Sequence, residues 1–286
     1  MRGARRSVQV DTAAREPSAA MQPPQAFFRE AGAGPGVLCL HSNASSSSQW
    51  RGLMDRLAPD FHVIAPDGYG AGRSPAWTGS GPLGLRDEVA LFEPLMARAG
   101  EPVALVGHSY GAAVALVAAV LHPHRVRSLV LYEPTLFAVV DEHSPPPNEA
   151  DGIRATVAGS ERALEAGDRD EAARWFIDYW MGDGAWAGTP EPRKGPIRDS
   201  MVNVSNWARS LLGETTPLAA FAQLRMPVLY MTGRRSPASS LAVARLLVAA
   251  LPQVEVIEFE ALGHMGPVTH PDLVNEAIER FLNKKK

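Results

Sequence analysis

The sequence predicts an α/β fold: a mainly parallel, twisted sheet with helices on both faces. Three observations predict it. From residue 36 onward, short apolar runs alternate with stretches of helical periodicity. The apolar runs read as buried strands, as expected when helices cover both faces of a parallel sheet. And residues 103–116, VALVGHSYGAAVAL, carry one such run through a glycine-flanked corner into an alanine-rich helix.

Each element follows in order. QAFFREAG (25–32) is expected to add an antiparallel strand at the front edge. GVLCLHS (36–42) reads as a buried strand, SQWRGLMDRLAP (48–59) as a helix and FHVIAPD (61–67) as the next strand. A helix spans 84–100, with a bend expected at Pro94. PVALVG (102–107) is a third strand, followed by a helix from Ser109 to Leu121, and VRSLVLYEP (126–134) is a fourth strand. PVLYMTG (227–233) and VEVIEFE (254–260) are two more, each followed by a helix.

Residues 137–224 break the alternation. They offer helical patterns, a Pro145-Pro146-Pro147 entry and Trp175, Trp180, Trp186 and Trp207, but no convincing buried strand. The expected organisation is a core of 25–136 and 225–286, with 137–224 inserted as a helical cap over the carboxyl edge of the sheet. Residues 1–24 carry several arginines and no apolar core, so they read as a disordered extension rather than a secretory signal.

Composition narrows the function classes. A net charge of -3 gives no basic field for nucleic acid. No apolar run approaches the ~20 residues that span a bilayer. The single cysteine, Cys39, excludes an intrachain disulfide and reads as a buried thiol. No metal-ligand spacing, phosphate loop or dinucleotide glycine pattern is present, so no cofactor is expected.

The corner carries chemistry. Gly107-His108-Ser109-Tyr110-Gly111 fits G-x-S-x-G, in which small neighbours permit strained backbone angles and expose the serine hydroxyl. A strand–helix turn with a capping serine would use similar letters. The strand before and the small-residue helix after favour a nucleophile. Serine needs an adjacent base. His264 follows the last apolar strand in a glycine-flanked loop and is the candidate. His270 precedes Pro271-Asp272 and reads as a helix start, while His108 points away if the corner alternates.

Four motifs in order, LHSNASSSSQW (40–50), APDGYGAGRS (65–74), the serine corner and Gly263-His264, resemble the α/β-hydrolase fold family, capped type, over roughly residues 25–284. The resemblance implies an oxyanion hole. One donor would be the N–H of Tyr110, the other that of Ser42 or Asn43, each worth ~3 kcal/mol in the transition state. Ser42 stands where the family usually has glycine. The HSN…W run also resembles the haloalkane dehalogenases, in which an asparagine at the position of Asn43 binds halide; Ser109 replaces the aspartate nucleophile those enzymes need.

The acid departs from the family pattern. Its usual loop, after PVLYMTG, reads Gly233-Arg234-Arg235-Ser236-Pro237, and no Asp or Glu occurs from Arg225 through Gln253. Glu133, at the carboxyl end of the strand after the nucleophile helix, stands where some members carry the acid. It is the expected partner of His264. Glu260, Asp141 and Glu142 are rivals, and a Ser–His device without an acid is the remaining alternative.

The expectation is a cofactor-free, carboxylesterase-like serine hydrolase, cytoplasmic, acting on a small apolar acyl compound through an acyl-enzyme. It has no nucleic-acid partner and no membrane span, and homodimerisation is left open. Trp175, Tyr179 and Trp180 would roof an apolar pocket or simply pack the insertion. Related families use the same constellation on thioesters, lactones and carbon–carbon bonds, and a receptor-like member with little turnover is the reading from a different class.

Overall fold

In the computed structural model, which describes residues 24–285, seven strands build one sheet: β1 (Phe28–Ala31), β2 (Gly36–Leu40), β3 (His62–Pro66), β4 (Val103–His108), β5 (Val126–Tyr132), β6 (Val228–Gly233) and β7 (Val254–Phe259). Their order is β1-β3-β2-β4-β5-β6-β7. All neighbours are parallel except β1, which runs antiparallel to β3 and forms the front edge. The strand order reverses between β2 and β4, where a crevice opens beyond the carboxyl ends. The extension expected over 1–24 lies outside the described residues, apart from Pro24.

Burial follows position in the sheet. β2, β4 and β6 are buried at every residue, while β7 at the far edge alternates and leaves Val256 exposed. On one face lie α1 (Arg51–Leu57) and the C-terminal helix (Pro271–Lys284). The latter presents Val274, Ala277, Ile278, Phe281 and Leu282, a three-to-four-residue apolar stripe, to the sheet. Each larger side chain there contributes ~1.5–3 kcal/mol on burial.

The other face holds α2 (Leu85–Ala99), which continues through Pro94, and α3 (Tyr110–Leu121), whose first ten residues are all buried. Small residues allow α3 to sit that close. A Cβ on Gly107 would meet the backbone of Ala112 at 2.5 Å, and one on Gly111 the carbonyl oxygen of Leu40 at 2.3 Å.

Between β5 and β6 the chain is helical: α4 (Ala138–His143), α5 (Asp151–Glu165), α6 (Arg169–Met181), α7 (Ala185–Gly188), α8 (Glu191–Ser200), α9 (Val204–Leu212) and α10 (Leu218–Phe221). Their apolar faces join the core cluster of α2 and α3. After β6 come α11 (Ala238–Ala250) and, after β7, α12 (Gly266–Thr269), which leads into α13 (Pro271–Lys284). No helix of the described residues is long and apolar enough to cross a membrane.

Candidate active site

Strand β4 ends at His108, and Ser109 turns the chain into α3 with φ 58° and ψ -118°. An L-residue avoids this region at a cost of ~1–3 kcal/mol. Among the described residues, the non-glycine positions of positive φ are Ala44, Ser109 and Glu133, and all three lie around this crevice. The turn is held by Ser109 N–H donating to Tyr132 O (2.9 Å) and by Ala112 and Ala113 N–H donating to Ser109 O.

His264 reaches Ser109 from the loop after β7. Its Nε2 lies 2.9 Å from Ser109 Oγ and its Nδ1 2.7 Å from Glu133 Oε2. The carboxylate only accepts, so Nδ1 carries the proton and Nε2 offers its lone pair to the hydroxyl. The loop is clamped: Tyr132 Oη donates to Gly263 O (2.8 Å), and a Cβ on Gly233 would come within 2.5 Å of Leu262 O. Glu260, the rival acid, faces outward and pairs with Arg234.

Glu133 is fully buried, yet its second oxygen is satisfied three times. Oε1 accepts from Thr232 Oγ1 (2.9 Å), Gly233 N–H (2.7 Å) and Ser236 Oγ (2.6 Å). Burial alone would raise its pKa. The bond to His264 and its charge, with Gly233 and Ser236, outweigh burial and hold the carboxyl below its ordinary value. The loop that lacks an acid therefore supplies two of the donors that keep Glu133 ionised.

The N–H of Ser42 is already engaged, donating to Gln49 Oε1 at 3.1 Å, as is its hydroxyl at 3.0 Å. Of the two alternatives for this loop, Asn43 retains an N–H with no acceptor among the described residues, as does Tyr110 at the start of α3. Gln49 continues inward. Its Nε2 donates to His108 Nδ1 (3.1 Å), and His108 Nε2 donates to the carbonyl of His264 (2.9 Å). Burial, then the nearby His264, push the His108 pKa well down, so the ring is neutral and bridges the loop after β2 to the histidine loop. No sequence period marks Gln49 or His108 for this bridge.

A further carboxyl, Glu88 of α2, lies buried beside Tyr110. Its oxygens accept from Tyr69 N–H (3.3 Å) and Tyr110 Oη (3.4 Å). Burial pushes its pKa up to about 8, against the opposing pull of those two bonds.

Two cavities meet at Ser109. One, of about 90 Å³, is lined by Ser109, His264, Met265, Trp180, Ile197 and Arg193. The other, of about 20 Å³, touches Ser109 and Asn43 but not His264, and is walled by apolar residues such as Phe137, Ile153, Val157 and Leu211. Trp180 borders both and stacks on His264. Its expected companions do not line these cavities. Tyr179 lies behind it, edge-on at 4.8 Å with its hydroxyl 2.7 Å from Ser239 Oγ. Trp175 packs over Gly159 of α5, where a Cβ would meet its ring at 2.4 Å. Both lie on α6 with Trp180, but helical spacing turns them to other sides.

A family model described as alpha/beta hydrolase fold matches residues 35–271. A curated relative from Mycobacterium tuberculosis, lipase LipV, is 30% identical over 266 residues, covering 87% of this chain and 94% of its own. The 2-(acetamidomethylene)succinate hydrolase of Mesorhizobium japonicum is 29% identical over 268 residues, covering 89% of this chain and 90% of its own. The crystal structure of the enol-lactonase from Burkholderia xenovorans superposes with a TM-score of 0.73 at 18% identity, covering 93% of this chain and 100% of that one.

Proposed function

The chain belongs to the alpha/beta hydrolase fold family, and from that premise we propose that it is a serine hydrolase that cleaves small carboxylic esters through an acyl-enzyme. The observation that carries this is the continuous line from Glu133 Oε2 through His264 to Ser109 Oγ, at 2.7 and 2.9 Å. The hydrolase names of the relatives from Mesorhizobium and Mycobacterium support it.

In this reading Ser109 Oγ attacks the ester carbonyl while His264 Nε2 takes its proton. Glu133 keeps the ring oriented and offsets the imidazolium charge. The oxyanion that forms is met by the N–H groups of Tyr110 and Asn43, and the first of these opens a twelve-residue helix whose dipole favours negative charge. His264 then passes its proton to the leaving alcohol, the C–O bond breaks, and water repeats the sequence on the acyl-enzyme.

The proton transfer orients the substrate. The leaving group must face His264, which places it in the larger cavity. The acyl group then enters the small apolar one, which favours a short chain. The helices between β5 and β6 act as a cap, with Trp180 as the part of it that reaches the reacting atoms.

The test is covalent labelling. A fluorophosphonate probe is expected to modify the protein at Ser109, and folded Ser109→Ala is expected to lose both labelling and ester turnover. Undiminished hydrolysis by that variant would overturn the reading.

A further inference from the structure

The larger cavity opens outward into a groove that shares Ala44, Ser45, Arg193 and Ile197 with it and continues along Ser46, Ser48, Gly70, Gly72 and Ser200. Among the described residues that line the groove, the one cation is Arg193. Its helix neighbours Lys194 and Arg198 are paired, Lys194 with Glu191 and Arg198 with Asp170 and Glu191. Arg193, at the junction of cavity and groove, has no carboxylate partner among the described residues.

The hydroxyls divide in the same way. Those of Ser46 and Ser48 bond each other at 2.7 Å, and that of Ser200 donates to Ile197 O. Ser45, the other polar side chain common to cavity and groove, has no hydrogen-bond partner among the described residues. The one acidic side chain in the groove, Asp199, is already paired with Arg169.

An unpaired guanidinium and a free hydroxyl therefore both line the junction of cavity and groove. We propose that the leaving group of the natural substrate bears an anionic substituent, a carboxylate or a phosphate, which Arg193 and Ser45 hold at the cavity mouth. This rests on the serine-hydrolase reading for the direction of the leaving group, but the anion site itself does not. A guanidinium presents paired donors that match carboxylate and phosphate oxygens. Because Arg193 is exposed, the interaction is partly screened by water and salt, and discrimination of about five- to tenfold is expected at low ionic strength.

The test uses acetyl esters of 3-hydroxybenzoate, of 3-hydroxyphenyl phosphate and of neutral 3-hydroxybenzamide. Wild-type kcat/KM should favour at least one anionic ester over the neutral one, and which of the two leads distinguishes carboxylate from phosphate. That preference should shrink as salt rises. Arg193→Gln should reduce the anionic-to-neutral ratio about five- to tenfold, Arg193→Lys should retain part of it, and Arg193→Glu should invert it. A ratio indifferent to salt and to all three substitutions would overturn the proposal. If no ester is turned over, the serine-hydrolase reading fails instead. The anion site is then decided by calorimetric binding of 3-hydroxybenzoate to wild type and Arg193→Gln: weaker binding in the variant upholds it, and equal binding overturns it.

Discussion

The indole of Trp180 lies over the imidazole of His264, with ring centroids 4.0 Å apart and planes inclined by 27°. Phe176 and Tyr179 brace the indole edge-on, and Phe137 lies stacked with it at 6.5 Å. A side chain of the helical stretch thus restricts the swing of the His264 ring.

Trp180→Ala is therefore expected to act twice. Removing a buried indole costs ~3–5 kcal/mol of stability, visible as a lower melting temperature. It also joins the two cavities, so the optimum in an ester series should move to longer acyl chains. Trp180→Phe should preserve most of the stability and part of the selectivity. An unchanged chain-length profile in folded Trp180→Ala would show that the indole serves packing alone.

Glu133→Gln keeps the size of the side chain but turns one oxygen into a donor and removes the charge facing His264. Turnover should fall by orders of magnitude, up to about 10⁴-fold, with a much smaller change in KM. Steady-state kinetics on a short-chain ester measures both. Near-normal kcat would mean that His264 works without this carboxylate.

Gln49→Leu cuts the bridge from Ser42 to His108 and leaves buried polar groups unsatisfied, at about 1–3 kcal/mol each. The expected result is lower stability and a kcat reduced by roughly 10–100-fold, less than the ~10²–10³ for losing an oxyanion donor outright. Gln49→Glu discriminates further. It can still accept from Ser42 but presents an acceptor to His108 Nδ1, so it should also lose activity although its shape is kept. Full activity in both variants would leave the bridge without a role in positioning.

Glu88 predicts a pH dependence of stability. Its folded pKa of about 8 lies above the ordinary glutamate value of 4.5, so the folded state binds more protons between those values and stability falls as pH rises through that window. At ~1.4 kcal/mol per pH unit for a full proton, the total is a few kcal/mol. Glu88→Gln is neutral throughout and should gain on the wild type from pH 5 to about pH 8 and level off above it in urea denaturation. Parallel pH profiles for the two proteins would rule out a buried, titrating Glu88.

The sequence carried the sheet because buried parallel strands are written as continuous apolar runs, and β2 through β6 fall where those runs lie. The Ser109 corner was legible for a similar reason, since glycines at 107 and 111 answer to close backbone approaches that nothing larger survives. Glu133 is the expected partner of His264 because residues 225–253 hold no carboxylate and because it stands at the strand end where some members of the family carry an acid. Side-chain direction was less accessible. Trp175, Tyr179 and Trp180 share one helical pattern, and only the packing of α6 against α5 and α11 decides which of them meets His264. The engagement of Ser42 by Gln49 was hidden because the six residues between them carry no regular period.

In the proposed reading, an acid placed after β5 also changes what holds the site in register. Ser109 and Glu133 leave neighbouring strands whose separation is fixed by backbone pairing, with His108 opposite Tyr132, at a spacing of ~4.8 Å that side-chain rearrangement does not alter. Ser109, Tyr110, Asn43 and Glu133 all precede the helical stretch, and His264 alone follows it. Any distortion transmitted through residues 137–224 therefore reaches the chemistry as a tilt of one imidazole against a rigid baseline. Loosening α6 is expected to shift His264 while leaving Ser109, Glu133 and the free amides at fixed mutual distances.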